Sequence, residues 1–242
     1  MVNSLRSAVK NPKGKKLAKR IKSTWKGKEL VWAGDGKTFL RGVGEDFLTH
    51  PFFEEAYERI LSNYRPKIRY KLCLFLPCSY GKPYSQSYIH YAIIKSLRSL
   101  KSNYNKVHQV ILTNAGIVPR ELEEFYPFYC YDWNPKFENS EIKDRYTKVL
   151  FNRLKGYILK FCDHYDKYAC YLRWNSDSYK AISMVERDLD LKIPNISINP
   201  IYILESEISK ISFGVYDHEE DLILITQKNL QNLLQRVREV MS

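Results

Sequence analysis

The residues best equipped for chemistry crowd into one short run, Pro77-Cys78-Ser79-Tyr80-Gly81-Lys82-Pro83-Tyr84-Ser85-Gln86-Ser87-Tyr88-Ile89-His90. It holds a thiol, an amine, hydroxyls and an imidazole. Cys78, close to Lys82 and to the start of a helix, has the setting that gives a thiol thiolate character and nucleophilic power. Lys82 can hold a phosphate, a carboxylate or a developing negative charge on nitrogen. Ser87 and His90 stand three residues apart, on one face of the first helical turns, and His90 can move protons near neutral pH. Ser79, Tyr84 and Ser87 offer hydrogen bonds to a base or ribose. Gly81 allows a sharp turn and Pro83 stiffens it. Plainer roles stand beside these: Cys78 as a small strand-end hydrophobe like Cys73, and His90 as a helix-face histidine satisfying a backbone carbonyl.

A second group lies further on, at expected strand ends. Arg120 can clamp a phosphate or carboxylate, or pair with Glu121 to close a helical turn. Asn114 and Asp132 can read a base edge or bind an amine, or simply cap turns. Tyr131 and Trp133 can stack on an everted base or pack in the core. His50, His164 and His218 read as surface residues. No cofactor signal is present, and nothing in the chain calls for a nucleotide or a metal.

These side chains need a scaffold. The run Leu72-Cys73-Leu74-Phe75-Leu76 is continuously apolar, as expected of a central strand covered on both faces. After the polar loop, Ile89, Ile93, Leu97 and Leu100 recur at helical spacing and predict a helix from about Ser85 to Leu100. Strands follow at Val107 to Thr113, Phe128 to Trp133 and Tyr168 to Leu172, with a Pro119-initiated turn after the first of them. Helices are expected over Asp46 to Tyr64, Ser140 to Phe161, from a cap at Asn175 or Ser176 to about Asp190, and over Gln227 to Val240. Ile193 to Ile225 gives no clear period and has room for short strands. Strands alternating with helices predict right-handed crossovers, hence a three-layer α/β/α sandwich around a mostly parallel sheet. Ligands of such sheets sit outside the carboxyl ends of the strands, where Pro77 to His90 falls.

Composition narrows the partner. The net charge is +12, and Met1 to Lys28 carries ten Lys and Arg residues with no Asp or Glu, leaving about +2 for the rest. This segment reads as a basic, partly disordered arm in which Lys15, Lys16, Lys19, Arg20 and Lys22 are the candidate RNA contacts, able to become helical on an anionic surface. Residues 29–66 form a Gly-punctuated loop and helix segment, and 67–242 the α/β core. With 44% hydrophobic residues, 19 Tyr and 11 Phe, the core needs no disulfides. The five cysteines lack Cys-x-x-Cys spacing and read as reduced, intracellular thiols. No apolar leader or membrane-length apolar run is visible, so a cytosolic protein without a membrane partner is expected.

The Pro77–His90 segment resembles the signature of archaeosine synthases: Pro-Cys, three residues, Lys-Pro-Tyr, two residues, Ser, two residues, His. Pro77, Cys78, Lys82, Pro83, Tyr84, Ser87 and His90 all match. Val107 to Asn114, then Val118-Pro119-Arg120-Glu121-Leu122-Glu123, Tyr126-Pro127 and Tyr131-Asp132, are similar to further family stretches. The likeness runs from about Asp46 to Leu172. It implies a core with a uracil-DNA-glycosylase-like fold, acting on tRNA that carries 7-cyano-7-deazaguanine in its D-loop. The implied reaction adds an amine, that of free lysine, to the nitrile carbon, giving an amidine, and a radical-SAM partner then releases the archaeosine base. Full-length members also carry a transglycosylase-like region and a PUA RNA-binding domain. A chain of 242 residues has no room for both, so a split or stand-alone core is expected, its tRNA contacts supplied by the basic arm or by a PUA-containing subunit. A non-catalytic tRNA-binding subunit is the competing reading, and base excision a third.

Overall fold

A computed structural model describes the backbone of residues 18–25, 28–34, 40–41, 45–79, 81–124, 128, 131–132, 138–211 and 220–242, and the side chains of 47–79, 81–124, 128, 138–211 and 220–242. Its centre is a four-stranded sheet of β4 (Tyr70–Leu76), β5 (Val107–Thr113), β6 (Gly116–Pro119) and β8 (Tyr165–Cys170), in the order β6-β5-β4-β8. β4 is flanked by parallel neighbours on both sides, with Phe75 opposite Val110 and Cys170. Leu72–Leu76 is completely buried, as a doubly covered central strand requires. Elsewhere β1 (Ala18–Trp25) pairs antiparallel with β2 (Lys28–Gly34), and the two-residue β3 (Leu40–Arg41) pairs parallel with β7 (Tyr131–Asp132). The backbone of the basic N-terminal segment is thus extended over Ala18–Trp25. Of the strand expected over Phe128 to Trp133, the part described is β7, which pairs with β3 instead of joining the main sheet.

Seven α-helices are described: α1 (Glu45–Leu48), α2 (Pro51–Asn63), α3 (Tyr88–Arg98), α4 (Ser140–Phe161), α5 (Asp177–Leu189), α6 (Glu205–Ser209) and α7 (Gln227–Met241). Polar side chains fix where the longer ones start, by accepting from orphan amides of the first turn. Ser87 caps α3, Asn139 α4, Ser176 α5 and Thr226 α7. The helix expected over Asp46 to Tyr64 is broken into α1 and α2 because Pro51 starts the second and His50 caps it. His50 is therefore no surface residue: it is fully buried, its Nδ1 accepts from the Phe52 amide, and burial lowers its pKa to about 4. His164 is half-buried, and His218 lies outside the described residues. Between Ile193 and Ile225 the described chain makes one β-bridge, Cys170 with Asn195, and short helical turns.

Side chains of a strand alternate between faces, and parallel partners share a face. Cys73, Phe75, His108 and Cys170 face the layer of α2, α4 and α5; Leu74, Gln109, Ala169 and Tyr171 face that of α3 and α7. Helices thus cover both faces of a mostly parallel sheet, the three-layer α/β/α arrangement expected.

One strand was not anticipated. After β5 the chain turns back at once: Thr113 Oγ1 accepts from the amides of Ala115 and Gly116, and Gly116 has a φ of 133°, open to glycine and strained for other residues. The result is β6, antiparallel to β5 with Pro119 opposite Val110. Arg120 and Glu121 do follow in the expected Pro119-initiated turn, the 3-10 turn Arg120–Leu122. Their position needs correction: β6 carries them back beside Gln109 and His108, away from the carboxyl end of β5 where they were expected.

Candidate active site

β4 ends by delivering Pro77, Cys78 and Ser79 to the carboxyl edge of the sheet. The loop beyond folds back onto the cap of α3. A Cβ on Gly81 would lie 3.0 Å from the Ser87 Cβ and 3.1 Å from its Cα, so glycine permits this approach. Ser79 Oγ donates to the Gly81 carbonyl at 3.3 Å, and Lys82 Nζ to the Ser79 carbonyl at 3.2 Å. The Lys82 ammonium also sits 5.6 Å from the centre of the Tyr84 ring. A 3-10 turn, Tyr84–Gln86, leads to Ser87, whose Oγ accepts from the His90 amide at 3.2 Å. Cys78 is half-buried against the core, its Sγ 3.7 Å from the Ser79 carbonyl. Tyr84 is fully buried, and its hydroxyl is directed at the Phe128 carbonyl, 3.5 Å away. Cys78, Ser79, Lys82 and Ser87 are thus gathered in one loop, with Tyr84 packed beneath it.

His90 is fully buried and engaged at both nitrogens. Its Nδ1 lies 2.8 Å from Arg120 Nη2, and its Nε2 lies 2.8 Å from the Pro77 carbonyl. A guanidinium can only donate, so Nδ1 accepts and Nε2–H donates to Pro77. Burial, and then the adjacent Arg120 charge, hold its pKa well below the usual value. Arg120 Nη1 donates to Glu123 Oε2 at 2.8 Å, the same oxygen accepts from the Ser85 amide at 3.0 Å, and Arg120 Nη2 also donates to Gln109 Oε1 at 3.1 Å. The chain Pro77–His90–Arg120–Glu123–Ser85 therefore clasps the loop at its entrance and its exit. Glu123 and Gln109 escaped sequence reasoning. Their signal was a polar residue in the apolar strand Val107–Thr113 and a carboxylate three residues after Arg120, since buried polar groups need partners.

Of the other expected site residues, Glu121 lies apart from this loop. Glu121 faces the opposite layer, where Oε1 accepts from Tyr64 at 2.7 Å and Oε2 lies 3.1 Å from His108 Nε2. His108 Nδ1 lies 2.7 Å from the Tyr165 hydroxyl, itself 2.7 Å from that of Tyr157. Burial works to raise the Glu121 pKa, but the hydrogen bond and charge of His108 outweigh it and hold the carboxyl at about 2. Asn114 is half-buried in the β5–β6 turn. Asp132 lies on β7, its backbone opposite Arg41, with its side chain outside the described residues. Lys15 and Lys16 fall outside the described residues, as do the side chains of Lys19, Arg20 and Lys22, whose backbone belongs to β1. Among the described residues no trio of His, Cys, Asp or Glu is placed to hold a metal, and no helix is long and apolar enough to cross a membrane.

Comparison with known proteins bears on this geometry. Residues 54–193 match the family described as "Domain of unknown function (DUF5591)". The chain is 43% identical over 77 residues to "Archaeosine synthase subunit alpha" of Thermoplasma acidophilum, covering 31% of this chain and 14% of that protein. It is 46% identical over 76 residues to the protein of the same name from Methanosarcina acetivorans, covering 31% of this chain and 11% of the relative. "Archaeosine synthase" of Methanocaldococcus jannaschii is 34% identical over 118 residues, 47% of this chain and 18% of the relative. The chain thus spans less than a fifth of the length of these curated relatives. A solved structure described as "Crystal structure of AF0587, a protein of unknown function" overlays with a TM-score of 0.47 at 20% identity, covering 75% of this chain and 48% of that one. With more than half of its length matched, the chain belongs to the DUF5591 family and carries an archaeosine synthase-like domain.

Proposed function

We propose that this domain modifies tRNA, adding an amine, that of free lysine, to the nitrile of 7-cyano-7-deazaguanine in the D-loop. The observation that carries the reading is the clasped loop from Pro77 to His90 at the carboxyl edge of the central strand, bearing a half-buried thiol and an ammonium. The Cys78 thiol adds across the nitrile: a C–S bond forms, one C≡N π pair moves to nitrogen, and the thiol proton ends there as a thioimidate. The neutral amine of lysine then adds to the same carbon, and the C–S bond breaks. The thiol regains a proton, and the product is the amidine. Lys82 stabilises negative charge developing on nitrogen or holds a backbone phosphate. His90, with both nitrogens committed, positions the loop instead of moving protons, and Tyr84 supports it from below. The basic arm supplies RNA contacts through Lys15, Lys16, Lys19, Arg20 and Lys22. A PUA-containing subunit adds further contacts, and a radical-SAM enzyme consumes the product.

The test is mass spectrometry of tRNA nucleosides from a strain lacking this gene. Accumulated 7-cyano-7-deazaguanine is expected, and archaeosine at its normal level would overturn the reading. The engaged nitrogens of His90 favour a second reading, a tRNA-binding subunit without turnover. That subunit would show salt-sensitive binding of modified tRNA and no lysine adduct.

A further inference from the structure

β4 and β8 run side by side, with the Tyr171 amide donating to the Phe75 carbonyl at 2.9 Å, so Cys78 and Arg173 leave the sheet as neighbours. The chain then parts: β4 feeds α3 on one face of the sheet, and β8 feeds α5 on the other. This is a topological switch point, the place where open α/β sheets form a binding crevice. The Cys78 loop stands at this switch point, and so do the starts of two helices that the motif does not reach. α5 begins there, capped by Ser176, with Ser178 in its first turn. α4 runs into β8 from the opposite direction, so its own start, with Tyr146 in the second turn, lies at the same edge. The Tyr146 hydroxyl and Ser178 Oγ are 2.7 Å apart, joining the two helix starts. Cys78, Tyr146 and Ser178 are all half-buried.

Building on the function proposed above, we infer that Tyr146, with Ser178 behind it, is a further substrate-contacting residue. Its phenol donates to the nitrile nitrogen from across the crevice while Cys78 attacks the carbon. The hydroxyl pair suits this task, because Ser178 can accept or donate and so leaves the phenolic proton free to turn towards a ligand. Burial raises the phenol's pKa above its usual value, the Ser178 hydrogen bond draws it partly back, and the nearby Cys78, Asp177 and Glu138 raise it further. Tyr146 therefore keeps its proton at physiological pH and serves as a donor. Electron balance is unchanged from the reaction above: the phenol lends a hydrogen bond to the nitrogen that receives the π pair, and the proton itself comes from the thiol.

The test uses the whole chain, tRNA bearing 7-cyano-7-deazaguanine, and lysine, with adduct formation followed by mass spectrometry. Tyr146→Phe should lower the single-turnover rate about 100-fold, as loss of one preorganised donor does, without weakening tRNA binding. Ser178→Ala should lower it less, and add little when combined with Tyr146→Phe. Unchanged rates in both single variants would overturn the inference. A second readout is independent of turnover: the rate at which iodoacetamide labels Cys78, read on its own peptide at fixed pH. Slower labelling in Tyr146→Phe supports a hydroxyl facing the thiol, and an unchanged rate overturns it. A wild-type chain that yields no adduct while Tyr146→Phe still slows labelling would sink the proposed function and leave this geometry standing.

Discussion

Two buried histidines, one on each side of the sheet, are held by consecutive residues of a single 3-10 turn. Arg120 grips His90 in the layer of α3, and Glu121 grips His108 in the layer of α4. The networks are similar in size but differ in what they reach. His90 and Arg120 end on backbone groups of the candidate loop, the Pro77 carbonyl and, through Glu123, the Ser85 amide. His108 and Glu121 end on Tyr64, Tyr157 and Tyr165, which belong to structural elements at the amino ends of the strands. A buried cluster of His, Glu and Tyr is therefore no guide to chemistry by itself. The difference that matters is whether its last hydrogen bond lands on the candidate loop or on scaffold.

The largest expected effect separates the two sides. Arg120→Met strips partners from His90 Nδ1, Glu123 and Gln109 together, so calorimetry or urea unfolding should show a loss of about 3–5 kcal/mol. The variant should also lose lysine transfer at temperatures where it remains folded. Its neighbour, Glu121→Gln, keeps a side chain able to accept from Tyr64 and should cost only about 1–3 kcal/mol, with transfer retained. Equal losses of transfer in the two variants would dissolve the distinction.

Smaller, but sharper in sign, is the response to acid. Burial and Arg120 depress the His90 pKa, and burial lowers that of His50 to about 4. The unfolded chain therefore binds protons at these sites more readily. Their contribution is present in full above the usual histidine value of about 6.5 and is lost as pH falls through the window down to the lowered values. Glu121, held at about 2, acts with the same sign in a lower window. Its contribution is complete above the unfolded carboxylate value and fades only as pH falls towards 2. Unfolding free energy measured from pH 7 to 4 should therefore decline, and Glu121→Gln should leave the slope between pH 6.5 and 5 unchanged.

What the sequence disclosed divides along the same line. The apolar run at Leu72–Leu76, the helical stripe of Ile89, Ile93 and Leu97, and the cap at Ser176 are local signals, and the elements they predict are present. The hairpin return at Thr113–Gly116 was missed because it rests on one side chain taking two amides and on a positive φ, neither of which has a period. That omission put Arg120 and Glu121 at the wrong end of β5. His50 looked like a surface histidine because a capping role for an imidazole leaves no pattern. Glu123, Gln109, Tyr146 and Ser178 escaped for a common reason: each gains its place from a partner distant in sequence, across a sheet edge or between two helix starts.

Whether Cys78 attacks a tRNA-borne nitrile is read by mass spectrometry of modified tRNA incubated with lysine and either the wild-type chain or Cys78→Ser. A lysine adduct is expected with the wild type, none with Cys78→Ser, and a covalent protein–tRNA species when lysine is withheld. Adduct formation by Cys78→Ser at the wild-type rate would rule out attack by the thiol.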